Sequence, residues 1–322
     1  MHSHFYGSVV DALRQRTSRP YVAPDAYGRD VLNAMTANTV VSAGYTDVPS
    51  RLAYLDAAKI DKQLMTFPGA LGVDVMPVGE VAETIRAFND RLAAICSASA
   101  GRLVGLAGLP LADVGMAAAE LRRARRELQL LGAILPGNFF LSIERAETLR
   151  PLFDAADEVG ALFMIHPGIA PGEHPPAPFP DCSVYRASVL ALQASISQMG
   201  LTLIFGDLLD SHRNVAIQLV NLGGTLPFIL ERLEAIAHSR NPQSPFPSER
   251  LRRLYYDTAS LGPRALQVAV QVFGADRIML GTDYPILTPA APTDTAALAA
   301  IDEVERALIL DRSARSLICR FA

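Results

Sequence analysis

Two hydrophobic patterns alternate along the chain. Short, nearly all-apolar runs are typical of parallel strands that are buried on both faces. The predicted strands are Gln63–Phe67, Leu103–Leu109, Gly132–Leu135, Ala161–Ile165, Val215–Val220, Leu254–Tyr256 and Arg277–Leu280. The longer segments between them repeat apolar residues at the helical period, which predicts covering helices. The predicted helices are Val81–Ser97, Met116–Leu130, Arg145–Val159, Val184–Met199, Pro227–His238 and Ala265–Phe273.

This alternation of strands and helices predicts a parallel sheet covered by helices. With an eighth strand expected near Met1, the expected fold is a (β/α)₈ barrel built by a single domain over residues 1–322. A chain of 322 residues has the length of such a barrel. Only Met1 precedes the first histidine motif, so we expect a truncated first strand. Either the native protein begins upstream, or this chain is a variant with a weakened site.

Two segments interrupt the pattern. Arg14–Thr46 is loosely patterned and contains Pro20 and Pro24, so it is interpreted as an insertion after the first strand. Pro167–Pro180 holds six prolines within fourteen residues and directly follows a predicted strand. Proline removes backbone freedom, so this second segment predicts a stiff loop. Its place after a strand favours a wall of an active site, with a simple surface connection as the alternative.

Polar residues end several of the apolar strands. His2 and His4 are two residues apart, so on a strand both side chains point to one face. His166 follows the run Ala161–Ile165, and Asp283 follows the last strand. The carboxyl ends of barrel strands meet at one rim, so these four residues predict a metal site with three imidazoles and one carboxylate. Taken singly, each also fits a core histidine, a turn former or a helix cap.

The remaining histidines and the lysines narrow this hypothesis. His174 lies in the proline-rich segment, where a surface role is expected, and His212 and His238 lie at helix ends, where we expect structural roles. Binuclear barrel hydrolases commonly bridge two metals with a carboxylated lysine after the fourth strand. The chain's two lysines, Lys59 and Lys62, are far from that position, so one metal ion is expected.

Composition excludes several other classes of protein. Half of the residues are hydrophobic and 19% are charged, which excludes a disordered chain. The net charge of −4 argues against nucleic acid and anionic membranes as partners, and we expect no apolar run long enough to span a bilayer. Three widely spaced cysteines and a start without signal-peptide features favour a cytoplasmic protein.

Seven segments carry a resemblance to a known family. They are HSHF (2–5), GRLVGLAGLPL (101–111), LGAILPGNFF (131–140), LRPLFDAADEVGALFMIHPG (149–168), NLGGTLPFILERL (221–233), LYYDTAS (254–260) and FGADRIMLGTDYP (273–285). The sequence resembles the amidohydrolase-related decarboxylases, which include aminocarboxymuconate-semialdehyde, γ-resorcylate and 6-methylsalicylate decarboxylases. The resemblance implies a barrel of the metal-dependent hydrolase type that removes CO₂ from a small aromatic or unsaturated carboxylic acid without oxidation.

The resemblance also implies roles for individual residues. The metal ligands fall on His2, His4, His166 and Asp283, and the ion is zinc, with manganese as the alternative. Asp283 also relays the proton to the carbon that loses CO₂. Arg232 falls on an arginine that binds the substrate carboxylate of a partner subunit, which implies a homodimer. On physical grounds Arg232 is equally a helix-surface residue that pairs with neighbouring glutamates.

One position departs from the family pattern. A second catalytic histidine usually precedes the glycine pair after the sixth strand, and here that residue is Asn221. Asparagine can orient water or substrate, but it does not titrate near neutral pH. The leading hypothesis is therefore a metal-dependent decarboxylase with Asp283 and Asn221 as catalytic residues. A hydrolase of a lactone, amide or C–C bond and a non-catalytic ligand-binding barrel are the alternatives.

Overall fold

All seven predicted strand runs form strands in the computed structural model, which describes residues 1–35, 38–174, 183–287, 294, 296 and 299–322. Three further strands precede them. In chain order the strands are β1 (Tyr21–Pro24), β2 (Asp30–Asn33), β3 (Asn38–Val40), β4 (Gln63–Thr66), β5 (Leu103–Leu106), β6 (Gly132–Pro136), β7 (Ala161–His166), β8 (Val215–Leu219), β9 (Tyr255–Asp257) and β10 (Ile278–Met279). Every residue of β4, β6 and β8 is buried, as expected for strands covered on both faces.

The parallel strands are arranged as the staves of a barrel. Strands β6 to β10 lie side by side in chain order, and β4 pairs with β5. A bridge between Ala107 and Ala133 joins these two sheets. Ser3 pairs with Tyr284 beyond β10, and His4 pairs with Thr66 of β4. The first stave thus consists of two bridge residues, which agrees with the expectation of a short first strand.

Helices cover the outside of these strands. They are α1 (Val9–Leu13), α2 (Ala43–Thr46), α3 (Val48–Ala57), α4 (Val78–Ala98), α5 (Val114–Arg126), α6 (Ile143–Glu147), α7 (Arg150–Val159), α8 (Ser183–Tyr185), α9 (Leu192–Phe205), α10 (Leu208–Ser211), α11 (Leu226–Arg240), α12 (Pro263–Phe273), α13 (Glu303–Ala307) and α14 (Ser313–Phe321). π-Helical turns at Arg186–Ala191 and Leu308–Arg312 lead into α9 and α14. The predicted helix Arg145–Val159 is in fact two helices, because Pro151 starts α7 in the first turn, where proline is favoured.

The two interrupting segments have different outcomes. Within Arg14–Thr46, strands β1, β2 and β3 form a small antiparallel sheet, which the loose pattern did not predict. Residues 175–180 of the proline-rich segment lie outside the described residues. Its described part, Pro167–His174, follows the carboxyl end of β7, the end at which His166 lies.

The expectation that no apolar run could span a bilayer was wrong by length and composition. Among the described residues one helical stretch, Arg186–Phe205, has 20 residues and a mean hydropathy of 1.5. Its second half packs into the core through Ile196, Met199 and Leu203, as a covering helix of a barrel does. The core helix of a barrel can have the same length and apolar composition as a membrane span, so these two properties do not distinguish one from the other.

Asp74 is a fully buried carboxyl group at the mouth of the barrel. Among the described residues neither of its oxygens has a hydrogen-bond partner, and Oδ2 would lie 3.2 Å from a Cβ placed at Gly69. Burial raises the pKa of Asp74 well above its ordinary value, because an unpaired charge there would lose its hydration. The native state therefore holds a proton that the unfolded chain releases.

Replacing Asp74 by asparagine is expected to stabilise the protein increasingly as pH rises. Above the ordinary aspartate pKa the unfolded wild type loses its proton, so native stability falls until the raised native pKa is reached. Asparagine does not titrate, so the variant avoids this loss of stability. Its free energy of unfolding is expected to rise relative to wild type by about 1.4 kcal/mol for each pH unit between the two pKa values. Urea unfolding at pH 4, 5.5 and 7 measures this gain, with Asp276→Asn, at a half-buried aspartate paired with Arg252, as the control. A difference in the free energy of unfolding between Asp74→Asn and wild type that is equal at all three pH values contradicts the prediction.

Candidate metal centre

Three histidines meet at the carboxyl end of the barrel strands. His2 and His4 lie on the same face of the first stave, and His166 is the last residue of β7. The ring centroids lie 4.9 to 5.2 Å apart, and each ring is nearly perpendicular to the other two. One nitrogen from each ring lies within 4.8 Å of the others. This geometry allows three imidazoles to bind one ion.

Asp283 completes the predicted set of four residues. Its Oδ1 lies 3.0 Å from His4 Nε2 and 3.6 Å from His2 Nε2. Ser260 donates a hydrogen bond of 2.8 Å to Oδ2. The backbone of Asp283 lies in the left-handed region, at φ 57°, which aspartate and asparagine adopt more readily than most residues.

Hydrogen bonds fix the orientation of two of the rings. His2 Nδ1 lies 3.1 Å from Asp257 Oδ1, and His166 Nδ1 lies 2.9 Å from the carbonyl oxygen of Pro167. A proton held on Nδ1 leaves Nε2 with its lone pair free for a metal. Histidine ligands in metalloproteins usually have such a second partner, so this arrangement fits a ligand set.

The protonation states also fit a metal site. Burial, together with the nearby rings of His4 and His2, lowers the pKa of His166 to about 3, so its imidazole is neutral. Burial opposes ionisation of Asp283, but the hydrogen bond from His4 and the neighbouring imidazoles outweigh it and hold its pKa well below the usual range. Within the part of the chain that the structure describes, His2 Nε2 is buried without a hydrogen-bond partner and lies 3.6 Å from Asp283 Oδ1. An unpartnered ring nitrogen beside a carboxylate is a donor arrangement that a divalent ion prefers.

Asp257 is a buried carboxylate in contact with His2 that the sequence analysis did not single out. Its fully buried carboxylate accepts hydrogen bonds from Gln218 Nε2 at 2.7 Å and from the amide of Ala259 at 3.1 Å, besides its contact with His2. Gly281 is required beside it, since a Cβ there would lie 2.9 Å from Asp257 Oδ1. The signal was present in the sequence: Asp257 ends β9 as His166 ends β7.

Asp257→Asn is expected to weaken metal binding by about 10–100-fold, because an amide holds the His2 ring less firmly than a carboxylate does. Glu120→Gln is a matched control. Glu120 lies on the outer helix α5, where it is also buried and accepts hydrogen bonds from Asn89 and Arg123. Competition titration with a coloured chelator measures the affinity. Equal affinities for Asp257→Asn and wild type contradict the role of Asp257.

Asn221 lies beside this hydrogen-bonded group. It is buried at the end of β8, and its backbone amide lies 3.4 Å from Asp257 Oδ1. Its φ of 52° is left-handed, a conformation that asparagine tolerates. The structure thus places the residue next to the partner of His2, with a side chain that cannot act as a titrating base near neutral pH.

Arg232 is not brought to the histidine cluster within one chain. It is exposed on α11, and among the described residues it has no hydrogen bond or ion pair. The position agrees with the interpretation of Arg232 as a helix-surface residue, while the expected pairing with neighbouring glutamates is not seen among the described residues. Its assignment to a partner's substrate carboxylate stays a prediction.

The other histidines and the lysines lie away from the cluster. His174 and His238 are exposed. His212 is buried with its ring 2.9 Å from both Leu208 O and Asp154 Oδ1, which confirms its structural role. Lys59 and Lys62 precede the amino end of β4 and line a cavity of about 650 Å³ at the opposite end of the strands.

Two tyrosines beside the cluster were also missed. Tyr6 and Tyr45 are buried and stack with their ring centroids 4.3 Å apart. Burial and the charge of Asp283 raise the pKa of Tyr45 to about 12, so its hydroxyl keeps its proton. Tyr45 belongs to the insertion, whose loose pattern gave no indication that it reaches the site.

Comparison with known proteins agrees with this architecture. The chain is 26% identical over 291 residues to γ-resorcylate decarboxylase of Rhizobium sp., covering 83% of this chain and 86% of the relative. It is 26% identical over 247 residues to 2-amino-3-carboxymuconate-6-semialdehyde decarboxylase of Dictyostelium discoideum, covering 74% and 67%. A dihydroxybenzoic acid decarboxylase from Polaromonas sp., solved with manganese and 2-nitroresorcinol, shares the fold with a TM-score of 0.70 at 23% identity, covering 86% and 87%. The amidohydrolase family model matches residues 2–318, so the chain belongs to the amidohydrolase family.

Proposed function

We propose that this protein is a metal-dependent, non-oxidative decarboxylase of a small aromatic or unsaturated carboxylic acid. The observation that carries the proposal is the cluster of His2, His4, His166 and Asp283, in which three imidazoles meet one carboxylate at the carboxyl end of the barrel strands. Asn221 supports decarboxylation over hydrolysis, because hydrolysis needs a base that activates water. The two curated relatives named above are decarboxylases.

The chain's own groups account for the proton that the reaction needs. When the C–C bond breaks, CO₂ leaves and the electron pair stays on the carbon, which must take up a proton. Asp283 relays this proton: its ionised carboxylate, with Oδ1 among the imidazoles and Oδ2 held by Ser260, takes up a proton from the bound substrate or from solvent and passes it to that carbon. A divalent ion at the site supplies Lewis acidity toward the substrate's carboxylate and its neighbouring oxygen. The proposed ion is a single zinc, with manganese as the alternative.

Exposed apolar residues support a homodimer as the working form. Val184, Tyr185, Val189, Leu190 and Phe228 form this apolar surface, and Phe228 is 85% exposed. The stretch that carries the first four residues continues into α9, which meets the start of α11 where Ser197 Oγ lies 2.8 Å from Thr225 Oγ1. Large exposed apolar patches favour association, and a second copy covers such a patch on both partners at once. Arg232 lies about one turn after Phe228, so it would enter this interface.

Phe228→Glu is expected to raise the dissociation constant of the dimer at least about tenfold, because it places a charged side chain in the interface where the phenyl ring of Phe228 would pack. Analytical ultracentrifugation across a concentration series measures the change. Ile143→Glu is the control, since Ile143 is also an exposed apolar residue but lies on α6, outside the apolar surface. A wild type that stays monomeric at high micromolar concentration contradicts the homodimer.

A substrate panel tests the proposed function. Protein loaded with zinc or manganese is mixed with hydroxybenzoates and unsaturated dicarboxylates, and released CO₂ is measured against chelator-treated protein. Metal-dependent release from at least one acid is the expected result. Cleavage of lactones or amides without CO₂ would identify a hydrolase instead. Metal-loaded protein that binds these acids but converts none of them would indicate a non-catalytic barrel.

A further inference from the structure

Arg51 is a buried cation without a carboxylate partner. It lies on α3, its side chain is fully buried, and among the described residues no aspartate or glutamate contributes to its electrostatic surroundings. Burial lowers the pKa of Arg51 to about 10, so the guanidinium remains charged at neutral pH. A buried charge is costly unless several hydrogen bonds satisfy it. The contacts that satisfy Arg51 therefore indicate what it holds in place.

Four oxygen acceptors surround the guanidinium group. Nη1 donates to Ser3 Oγ at 3.1 Å and to Gln63 Oε1 at 2.7 Å. Nη2 donates to the carbonyl oxygen of His4 and, at 2.7 Å, to that of Gly44. Two of these acceptors belong to the His2-Ser3-His4 segment, and one of the two is the backbone of a candidate metal ligand.

The plane of the guanidinium group also contacts two aromatic rings. Its central carbon lies 5.5 Å from the ring centroid of Phe5 and 4.9 Å from that of Tyr284. Tyr284 directly follows Asp283, and Gly44 directly precedes Tyr45. Arg51 thus contacts four segments: the first stave with its two histidines, the start of β4 at Gln63, the turn with Asp283, and the turn with Tyr45.

We propose that Arg51 is a positioning residue that sets the separation between the histidine pair and Asp283, and thereby the metal affinity of the site. The inference rests on the proposed metal centre. Among the described residues the first stave forms two isolated bridges, and Arg51 adds side-chain contacts to the backbone hydrogen bonds that join it to its neighbours, such as those from His4 N to Tyr284 O and from Phe5 N to Thr66 O. Arg51 acts through the backbone of His4 and the ring of Tyr284, and it does not bind the metal or the substrate itself.

Lysine cannot replace arginine in this position. The guanidinium is a planar fork with five donors, which allows it to reach acceptors on several segments and to stack on rings at the same time. An ammonium group keeps the charge but offers a single donor atom. Arg51→Lys therefore separates the role of geometry from that of charge.

The test compares Arg51→Lys with Arg125→Lys. Arg125 is a matched control, because it also donates to two backbone carbonyls, those of Gly160 and Leu130, and packs over a ring, Phe321. For each protein we would measure the dissociation constant for Zn²⁺, the visible spectrum of the Co²⁺-loaded form and the melting temperature without metal. Arg51→Lys is expected to weaken Zn²⁺ binding about 10–100-fold and to change the Co²⁺ spectrum. Arg125→Lys is expected to lower the melting temperature alone.

Unchanged Zn²⁺ affinity and Co²⁺ spectrum in folded Arg51→Lys would overturn the inference. If that variant does not fold, Gln63→Leu removes one acceptor of Arg51 and is expected to weaken Zn²⁺ binding about fivefold. Wild-type affinity in folded Gln63→Leu would then overturn it. A wild type that binds no metal would refute the proposed function, whereas metal-binding wild type with equally tight variants refutes only the role of Arg51.

Discussion

Asp283→Asn is expected to lower the turnover number at least about 1000-fold. When CO₂ leaves, the carbon must take up a proton, and an amide cannot pass a proton to it. Asparagine has nearly the same shape and tolerates the left-handed backbone at this position, so the fold is expected to persist. The three histidines remain as ligands, and metal content by mass spectrometry checks that the loss of activity is not a loss of the ion. Steady-state kinetics on the best acid of the panel gives the effect.

Ser260→Ala is the control for Asp283→Asn. It removes the hydrogen bond to Asp283 Oδ2 but keeps the carboxyl group, so a loss of only about tenfold is expected. More than a tenth of wild-type turnover in metal-loaded Asp283→Asn contradicts the role of Asp283 as the proton relay.

Loading the metal-free protein with Zn²⁺ or Mn²⁺ is expected to raise its stability by about 4 kcal/mol when free metal reaches about 1000 times the dissociation constant. The physical reason is that the native site binds the ion, whereas the unfolded chain does not assemble the four groups. His166→Ala is expected to abolish this gain, because it removes a ligand that is neutral and available near pH 7. Differential scanning calorimetry with and without metal measures the gain.

The matched control for His166→Ala is His212→Ala. His212 is equally a buried histidine, but it bonds to Leu208 and Asp154 on the outer helices. Its loss is expected to lower stability with and without metal by the same amount. A full metal-induced gain in His166→Ala contradicts the proposed ligand set.

The strands were predictable because each is a buried apolar run between helical segments. Strands β1, β2 and β3 were missed, since they have only three or four residues and mixed polarity, and backbone pairing holds them together. The break between α6 and α7 required recognising Pro151 as the first turn of a new helix. The apolar stretch Arg186–Phe205 reaches the length of a membrane span because the helix continues past the predicted end at Met199 to Phe205.

Some residues of the candidate site could be predicted from the sequence and others could not. His2, His4, His166 and Asp283 could be found because each ends an apolar strand, and strand ends converge in a barrel. Asp257 follows the same rule but was passed over within an aromatic segment. Arg51 could not be found, because a charged residue in a helical pattern predicts a solvated face, and only the tertiary structure buries it against the first stave.

The stoichiometry of CO₂ release in D₂O is the most direct measurement of the central claim. Metal-loaded wild-type protein is expected to release one CO₂ for each molecule of acid consumed and to leave one deuterium on the carbon that lost the carboxyl group. Chelator-treated protein and metal-loaded Asp283→Asn are expected to release CO₂ only at the background rate. Acid consumption without CO₂, or equal release with and without the metal, would contradict the account of a metal-dependent decarboxylase.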